Sequence, residues 1–253
     1  MGLLSEKVVL VTGATQGLGA GIARCAAQHG ASVVVAGRDA SRGEAVAAEI
    51  GGVFVAGDVG IPAQATGLVE ATVARFGRID GLVNSAGLTS RGTLLDTTPE
   101  LFDEHIAVNL RGPFFTMQAA VADMTRRGAP GAIVNIITMS SHGGQAFLAP
   151  YSTSKAGLVG LTKNAAHAHR FDRIRINGLN IGWTATAGED AIQRSAHGRS
   201  DGWLEEAQAA LPMGKLGQVD EIAEMVVFLL SDRSGVVTGS VIDWDQIVIG
   251  GLD

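Results

Sequence analysis

Cysteine and tyrosine are almost absent from this 253-residue chain, which contains one of each, Cys25 and Tyr151. A single cysteine excludes an intrachain disulfide and a metal site built from cysteines, so we predict no metal centre. Cys25 stands among small apolar residues in a helical stretch, which favours a buried side chain over a nucleophile. Because tyrosine used once is not routine core filler, Tyr151 is a candidate functional residue.

The chain is also poor in charge and lacks a long apolar run. Charged residues make up 17% of the sequence and the net charge is −6, so we expect no nucleic-acid partner. No apolar run approaches the roughly 18 residues that a membrane span needs, so we expect no membrane partner. The first residues carry charge and lead straight into a predicted strand. This is not the pattern of a secretory signal, and we expect a cytoplasmic protein.

Glycine and apolar residues are abundant, with 35 glycines and 46% hydrophobic residues. This composition is typical of a well-packed globular protein with many tight turns. Seven short apolar runs are continuous rather than alternating, which predicts a parallel sheet covered on both faces. The predicted strands are Lys7–Thr12, Ser32–Ala36, Val53–Ala56, Gly81–Asn84, Ala132–Ile137, Arg175–Asn180 and Ser240–Asp243.

Helical stretches alternate with these strands. This rhythm predicts a single α/β domain over residues 1–253, a doubly wound seven-stranded parallel sheet with helices on both faces. One stretch, 183–216, breaks the rhythm and is interpreted as a substrate-binding loop or lid within the domain. The predicted helices are Gly17–His29, Ser41–Ile50, Pro62–Phe76, Pro99–Arg127 with a bend near Gly112-Pro113, Tyr151–Arg170 and Val219–Ser231.

A glycine-rich turn, Thr12-Gly13-Ala14-Thr15-Gln16-Gly17-Leu18-Gly19, joins the first predicted strand to the first predicted helix. Glycines there permit a tight turn and let a phosphate approach the backbone, while the helix N-terminus supplies positive potential. The position between strand and helix is the context that a nucleotide site requires. No glycine turn ends in Gly-Lys-Ser/Thr and no G-x-S-x-G elbow exists, which excludes a P-loop nucleotidase and a serine hydrolase.

Tyr151 stands four residues before Lys155 in Pro150-Tyr151-Ser152-Thr153-Ser154-Lys155. At helical spacing both side chains address one site. A neighbouring cation favours the phenolate, so we expect Lys155 to lower the pKa of Tyr151 from its usual value near 10. Such a phenol would suit general acid/base chemistry.

The glycine turn, Asn84-Ser85-Ala86-Gly87, Asn109 and the Tyr151–Lys155 pair together resemble the short-chain dehydrogenase/reductase family in its compact form. The resemblance covers essentially the whole chain in the family's order. It implies a single-domain Rossmann fold, a nicotinamide cofactor, and the interconversion of a secondary alcohol and a carbonyl by hydride transfer. It also implies a homotetramer with helices 112–127 and 151–170 at an interface.

The resemblance implies a catalytic set of Asn109, Thr138, Tyr151 and Lys155. Tyr151 would move the proton at the substrate oxygen, Lys155 would hold the nicotinamide ribose, and Asn109 would support a water chain. The family's serine corresponds to Thr138, which retains a hydroxyl, and Ser140 is the nearby alternative. Candidates for contact with the substrate are Ser140, His142, Gln145 and Trp183, although His142 could equally be an ordinary loop residue.

The end of the second predicted strand bears on the choice of cofactor. Gly37 stands where NAD-binding chains carry a carboxylate, and the guanidinium of Arg38 suits a 2′-phosphate. We therefore favour NADP(H). NAD(H) stays possible because Asp39 is adjacent and Gln16 is neutral. The residues assigned to the cofactor are Gly13, Thr15, Gln16, Gly17, Leu18, Gly19, Arg38, Asp58, Val59, Asn84, Ala86, Gly87, Tyr151, Lys155, Gly182, Thr184 and Thr186.

The sequence does not select a substrate beyond a small alcohol or carbonyl compound. The stretch 183–216 carries charged and aromatic residues, which is compatible with a polyol, a sugar or a small keto compound. A second hypothesis is a catalytically silent nucleotide-binding relative that acts as a sensor or a subunit partner, since the fold alone supports either. The intact Asn109, Tyr151 and Lys155 favour the enzyme.

Overall fold

The computed structural model describes residues 2–250, and within them one seven-stranded sheet forms with the strand order β3-β2-β1-β4-β5-β6-β7. All six strand pairings are parallel. The chain therefore winds outward from β1 in both directions, as predicted. The strands are β1 Val8–Thr12, β2 Ser32–Gly37, β3 Val53–Ala56, β4 Gly81–Asn84, β5 Gly131–Thr138, β6 Ile174–Ile181 and β7 Val241–Trp244.

Helices cover both faces of this sheet, which confirms the predicted α/β architecture. Successive residues of β1 point to opposite sides: Val9 joins the apolar core under α1, α2 and α9, and Leu10 joins the core under α3, α5 and α6. The helices are α1 Gly17–Gln28, α2 Ala40–Ile50, α3 Pro62–Phe76, α4 Pro99–Ile106, α5 Gly112–Arg127, α6 Ala149–His169, α7 Ala187–His197, α8 Trp203–Ala209 and α9 Val219–Leu230. No helix within residues 2–250 is long and apolar enough to cross a bilayer.

The predicted helix over 99–127 is interrupted rather than simply bent. Between α4 and α5 the residues Ala107–Arg111 form a π-helical turn, in which the Gly112 N–H donates to the Ala107 carbonyl five residues back. Pro113 follows at once and cannot donate a backbone hydrogen bond. Wide turns of this kind occur often at functional sites, and this one carries Asn109.

The stretch 183–216 contains two helices, α7 and α8, where the sequence predicted only a loop. Thr186 begins α7 by accepting a hydrogen bond from the Glu189 N–H at 3.0 Å. A second difference lies at the end of β5, which extends to Thr138 instead of ending at Ile137. Thr138 therefore occupies the last position of a central strand, at the edge where the strands' carboxyl ends meet.

The one cysteine is buried in α1, as predicted. Its thiol lies with His29 and Glu224 in a group whose potential ligand atoms all fall within 4.8 Å of one another. Burial raises the pKa of Cys25 to about 12. The thiolate that metals bind is therefore scarce at neutral pH.

Candidate active site

The glycine turn after β1 is shaped by close backbone packing on one side and open space on the other. Gly13 has φ +67°, and a Cβ there would lie 2.6 Å from the Ala86 Cα. Gly17 has φ +54°, and a Cβ there would meet no atom within 4 Å. Gln16 stands before α1 without capping it. The first amides of α1 thus border an open space that fits a phosphate, as a dinucleotide cofactor requires.

Thr12 and Asn84 hold this turn against β4. The Thr12 hydroxyl accepts hydrogen bonds from the N–H groups of Ser85 at 3.2 Å and Ala86 at 3.3 Å. The buried Asn84 side chain donates to Asn135 at 2.9 Å and accepts from Thr116 at 2.7 Å. Asn84, predicted to bind the cofactor, therefore uses its side chain inside the fold and offers only its backbone.

Two arginines stand at the outer end of the nucleotide turn, and the sequence identified only one of them. Arg38 is 72% exposed and lies 3.7 Å from the Asp58 carboxylate. Arg42 donates to Asp39 at 2.7 Å and to the side-chain oxygen of Gln16. Asp39 caps α2, so it is committed to that helix and to Arg42. The signal missed in the sequence is an N-cap aspartate with an arginine three residues later, a spacing that brings the two together.

Several other residues predicted to touch the cofactor are buried or make hydrogen bonds to nearby residues of the chain. Asp58 accepts a hydrogen bond from the Gly60 N–H at 2.8 Å, and Val59 is buried. Thr184 donates to the Gly182 carbonyl at 2.9 Å. Thr186, also assigned to the cofactor, serves as the N-cap of α7. It still lines the cleft described below.

Lys155 is buried on α6, and its ammonium donates to the Ile136 carbonyl at 2.8 Å. Loss of hydration lowers the pKa of Lys155 to about 8. Tyr151, one turn earlier on the same helix, is half-buried. Burial raises the pKa of the phenol, while the Thr138 hydroxyl and then the charge of Arg91 act to lower it.

The expectation that Lys155 lowers the pKa of Tyr151 is contradicted, because burial raises the pKa of the phenol. The charges that act on the Tyr151 phenol are Arg91, which lowers its pKa, and Glu189, which raises it. The ammonium of Lys155 is directed instead to a carbonyl of β5. The i, i+4 spacing set both residues on one helix face but did not fix which atom each would contact.

Thr138 and Ser140 differ in what their hydroxyls contact. The Thr138 hydroxyl accepts from the Ser140 N–H at 3.2 Å and acts on the Tyr151 phenol. The Ser140 hydroxyl donates to Gln145 at 2.7 Å. Thr138 is thus the hydroxyl next to the phenol, whereas Ser140 and Gln145 form a pair farther along the cleft wall.

Asn109 lies in the π-helical turn and is fully buried. Its side-chain oxygen accepts from the Leu88 N–H at 2.8 Å, and its amide nitrogen donates to the Leu88 carbonyl at 2.9 Å and to Ser154 at 3.0 Å. Every polar atom of the side chain is therefore used within the protein. Asn109 positions the segment after β4 and the start of α6; both of its amide hydrogens are used, and its oxygen keeps one lone pair.

A cleft of about 780 Å³ opens at the carboxyl ends of β5 and β6. The loop side of this cleft is stiffened by Trp183 and Trp203, whose rings stack at 5.9 Å. Their indole N–H groups donate to Glu189 at 2.8 Å and to Asp190 at 2.7 Å. The predicted site residues that line it are Leu18, Thr138, Ser140, Gln145, Tyr151, Gly182, Trp183, Thr184 and Thr186.

His142 was predicted as a candidate substrate contact, and the structure turns it toward β7. Its Nε2 lies 3.0 Å from the Asp243 carboxylate, which also accepts from the buried Asn180 at 2.7 Å. The segment that begins at Asp243 continues into the rim of the cleft through Asp245 and Gln246. The chain end after β7 thus shapes the substrate side of the site.

Comparison with known proteins decides the family. A family model described as enoyl-(acyl carrier protein) reductase matches residues 13–246. The chain is similar to the L-rhamnose 1-dehydrogenase (NAD(P)(+)) of Azotobacter vinelandii, with 36% identity over 261 residues, 99% of this chain and 98% of that protein. It is also similar to the trans-4-hydroxycyclohexanecarboxylate dehydrogenase of Sinomonas cyclohexanicum, with 33% identity over 248 residues, 94% of this chain and 90% of that protein.

A solved structure agrees with these relatives. The short-chain type dehydrogenase/reductase from Mycobacterium marinum superposes with a TM-score of 0.86 at 32% identity, covering 96% of this chain and 95% of that one. The chain belongs to the short-chain dehydrogenase/reductase family. This dehydrogenase/reductase is therefore an oxidoreductase with a nicotinamide cofactor, NAD(P), and a small-molecule substrate.

Several residues of the cleft of this dehydrogenase/reductase were not identified from the sequence. Arg91, Phe147, His197 and Arg199 come from three separate segments, which meet only in the folded chain. The Arg91 guanidinium lies 5.7 Å from the centre of the Phe147 ring, and that ring packs edge-on against His197 at 5.4 Å. No motif spans these positions, so spacing alone offered no signal for them.

Proposed function

We propose that this dehydrogenase/reductase interconverts a secondary alcohol and a carbonyl by hydride transfer, with Tyr151 as the general acid/base. The observation that carries the proposal is the half-buried Tyr151 phenol beside the Thr138 hydroxyl, in a cleft that also reaches Leu18 of the nucleotide turn. A proton donor and a nicotinamide would then border the same carbon–oxygen bond. The relatives named for dehydrogenation of a sugar and of a hydroxy acid support this reading.

Tyr151, Thr138 and Lys155 would each have a separate role in the reaction. The bound nicotinamide would supply or accept the hydride. Tyr151 would give its proton to the carbonyl oxygen in reduction and take it from the alcohol in oxidation, while the Thr138 hydroxyl would hold the same oxygen. Because burial raises the pKa of the phenol, Tyr151 is protonated at neutral pH, which is the form needed for reduction. Lys155 would hold the nicotinamide ribose.

We favour NADP(H) over NAD(H) as the cofactor. Arg38 is largely exposed at the end of β2, and Arg42 contacts Gln16 in the nucleotide turn. Two guanidinium groups near the expected ribose suit a 2′-phosphate. The nearby carboxylate of Asp39 does not stand free to repel it, since it caps α2 and pairs with Arg42.

Replacement of Tyr151 by Phe tests the chemistry directly. Removal of the proton donor should lower kcat/KM by about 10²–10⁴-fold. Cofactor affinity, measured by fluorescence titration with NADPH, should stay within a few-fold of the wild type. Turnover that survives in Tyr151→Phe would exclude the phenol as the general acid/base.

A substrate panel separates this proposal from a catalytically silent nucleotide-binding protein. The panel should contain L-rhamnose and other sugars, cyclic and linear hydroxy acids, simple ketones and an enoyl thioester, each with NADP(H) and NAD(H). We expect turnover of an alcohol–carbonyl pair. Tight NADPH binding without turnover of any member would favour a sensor or subunit role, and reduction of the enoyl thioester alone would assign a different reaction.

We also propose that the protein is a homotetramer that uses α5 and α6. Phe114 at the start of α5 is 45% exposed, a large apolar surface that association would cover. Sedimentation equilibrium at micromolar concentration should give four times the chain mass of 26.0 kDa. A monomer under those conditions would contradict the proposal.

A further inference from the structure

We propose that Arg91 binds a carboxylate of the substrate, so that the substrate of this dehydrogenase/reductase is a hydroxy acid or the corresponding oxo acid. The proposal extends the function proposed above, because it adds the chemical class of the molecule whose carbon–oxygen bond meets Tyr151. It rests on where Arg91 lies, on which of its N–H groups lack an acceptor, and on the surface that surrounds it.

The backbone holds Arg91 in the cleft wall. Its neighbour Gly92 pairs with the segment before α6, donating to the Phe147 carbonyl at 3.0 Å and accepting from the Ala149 N–H at 3.0 Å. On the other side, Leu88 is fixed by the Asn109 side chain. Both ends of the short segment that carries Arg91 are therefore tied to the helices that form the site, and the guanidinium is not on a free loop.

Several N–H groups of the Arg91 guanidinium have no hydrogen-bond acceptor within residues 2–250. It donates to the Thr89 carbonyl at 2.7 Å and lies 3.5 Å from His197 Nε2, which accounts for at most two of its five N–H donors. Its Nε is buried and has no hydrogen-bond partner, and among residues 2–250 no carboxylate lies within 4.0 Å of it. The buried Nε is out of reach of a ligand, but the remaining N–H groups on the two Nη atoms can donate to a carboxylate that enters the cleft, which Arg91 lines.

Two other charged groups of the cleft, Glu189 and Arg199, already have partners, whereas Asp245 also lines the cleft and has no hydrogen bond or ion pair within residues 2–250. Glu189 accepts from Trp183 at 2.8 Å and from Gln193 at 2.7 Å. Arg199 pairs with Glu206 at 3.4 Å. A positive group left without a counter-ion in a partly desolvated cleft attracts an anionic ligand more strongly than one in water.

Arg91 and Tyr151 lie close enough for the charge of one to act on the phenol of the other. Both line the same cleft of about 780 Å³. Phe147 lies under the guanidinium, and Trp183, which stacks on Trp203, also lines the cleft. This arrangement fits a small molecule with a carboxylate at one end, an apolar body, and a hydroxyl or carbonyl group at the other.

The experiment compares acids with neutral analogues of the same shape. The probes are 4-oxopentanoate and 6-oxoheptanoate, each with its methyl ester, assayed by NADPH oxidation. The wild type should reduce an acid with a kcat/KM about 10- to 100-fold above that of its ester, mainly through KM, as charge-assisted hydrogen bonds predict. Arg91→Gln should remove this preference, with a loss for the acid at least tenfold larger than any loss for its ester, and Arg91→Lys should retain part of the preference.

Arg194→Gln is the control, because it removes the same charge from α7, where Arg194 pairs with Asp190 at 2.9 Å and Asp201 at 2.7 Å. It should leave the ratio of acid to ester unchanged. An equal loss for acid and ester in Arg91→Gln, or a wild type without preference for the acid, would overturn the assignment.

Calorimetric titration of the NADP⁺-bound protein with 4-oxopentanoate tests the same contact without turnover. Binding that weakens at least tenfold in Arg91→Gln supports the carboxylate site even if no probe is reduced, in which case only the proposed reaction fails. Equal affinity of wild type and variant for 4-oxopentanoate would overturn the site itself.

Discussion

The nucleotide side and the cleft side of the site are built by different means. On the nucleotide side, backbone atoms take part in the contacts between the two segments: Gly13 closely approaches Ala86, and the N–H groups of Ser85 and Ala86 donate to the Thr12 hydroxyl. On the cleft side, residues 138–151 and 183–211 are joined mainly by side chains, including the hydrogen bonds from Trp183 to Glu189 and from Trp203 to Asp190. Close backbone contacts restrict which residues can occupy a position, whereas one pair of side chains can be replaced by another. Substitutions on the cleft side can therefore change the substrate while the cofactor site stays the same.

The largest effect on stability and cofactor binding should follow when a methyl group is added on the nucleotide side, at Gly13. Gly13→Ala combines a strained φ of +67° with a Cβ 2.6 Å from the Ala86 Cα. We expect a loss of about 2–4 kcal/mol in the free energy of unfolding and a more than tenfold loss of NADPH affinity. Urea denaturation and fluorescence titration measure the two.

The matched control is Gly51→Ala. Gly51 has a similar φ of +63°, but a Cβ there meets nothing within 4 Å. Only the backbone strain of about 1 kcal/mol should remain, with NADPH affinity unchanged. Equal effects at Gly13 and Gly51 would show that backbone packing does not distinguish the nucleotide side.

Lys155 lies where the two sides meet, and its burial predicts a pH-dependent stability. Its pKa is about 8 in the folded protein, below the ordinary value of 10.5, so between these pH values the unfolded chain binds more protons. The free energy of unfolding should therefore rise as pH increases from about 8 to 10.5, by about 3 kcal/mol in total. This added stability is lost again as pH falls toward 8. Urea denaturation of wild type and Lys155→Met at several pH values isolates this contribution. Parallel pH profiles for the two proteins would show that Lys155 is not desolvated.

On the cleft side we expect intermediate effects that depend on which hydroxyl is removed. Thr138→Ala should lower kcat about 10- to 100-fold, since it removes a hydrogen bond at the reacting oxygen. Ser140→Ala breaks the bond to Gln145 and should change kcat less than threefold. Thr138→Ser should keep most of the activity. The reverse order of the two alanine variants would move the assignment to Ser140.

The smallest effect should come from the exposed edge of the nucleotide side. Arg38→Ala should raise the KM for NADP⁺ about tenfold and leave the KM for NAD⁺ unchanged, because only the 2′-phosphate is affected. Arg24→Ala, which removes a partly exposed arginine paired with Glu49, should alter neither constant. An unchanged KM for NADP⁺ in Arg38→Ala would remove the basis for preferring NADP(H).

Local signals in the sequence were sufficient for most of the fold. Continuous apolar runs located all seven strands, with Val53–Ala56 and Gly81–Asn84 predicted at their observed bounds. The glycine turn was found because its constraint is local: Gly13 needs a positive φ immediately after β1. Helices α7 and α8 were missed because most of their residues are polar or exposed, which weakens an apolar period.

The cleft was predicted less completely, for a different physical reason. Arg91 and Phe147 are far apart in the sequence, and they meet only because α6 packs beside the segment after β4. The electrostatics of Tyr151 depend on burial and on Arg91, neither of which the spacing to Lys155 contains. Spacing predicts which residues share a helix face, and packing decides which charge reaches which atom.

The Asn109 side chain does for Leu88 what a neighbouring strand would do. The Asn109 oxygen accepts from the Leu88 N–H at 2.8 Å, and the Asn109 amide donates to the Leu88 carbonyl at 2.9 Å. These are the two backbone hydrogen bonds that a neighbouring strand would otherwise make. A carboxylate of the same shape could accept but not donate, so an aspartate at this position would release the Leu88 carbonyl. Because Arg91 lies three residues after Leu88, the disturbance would reach the wall of the cleft. A buried amide in the π-helical turn between α4 and α5 would then influence the choice of substrate without touching it.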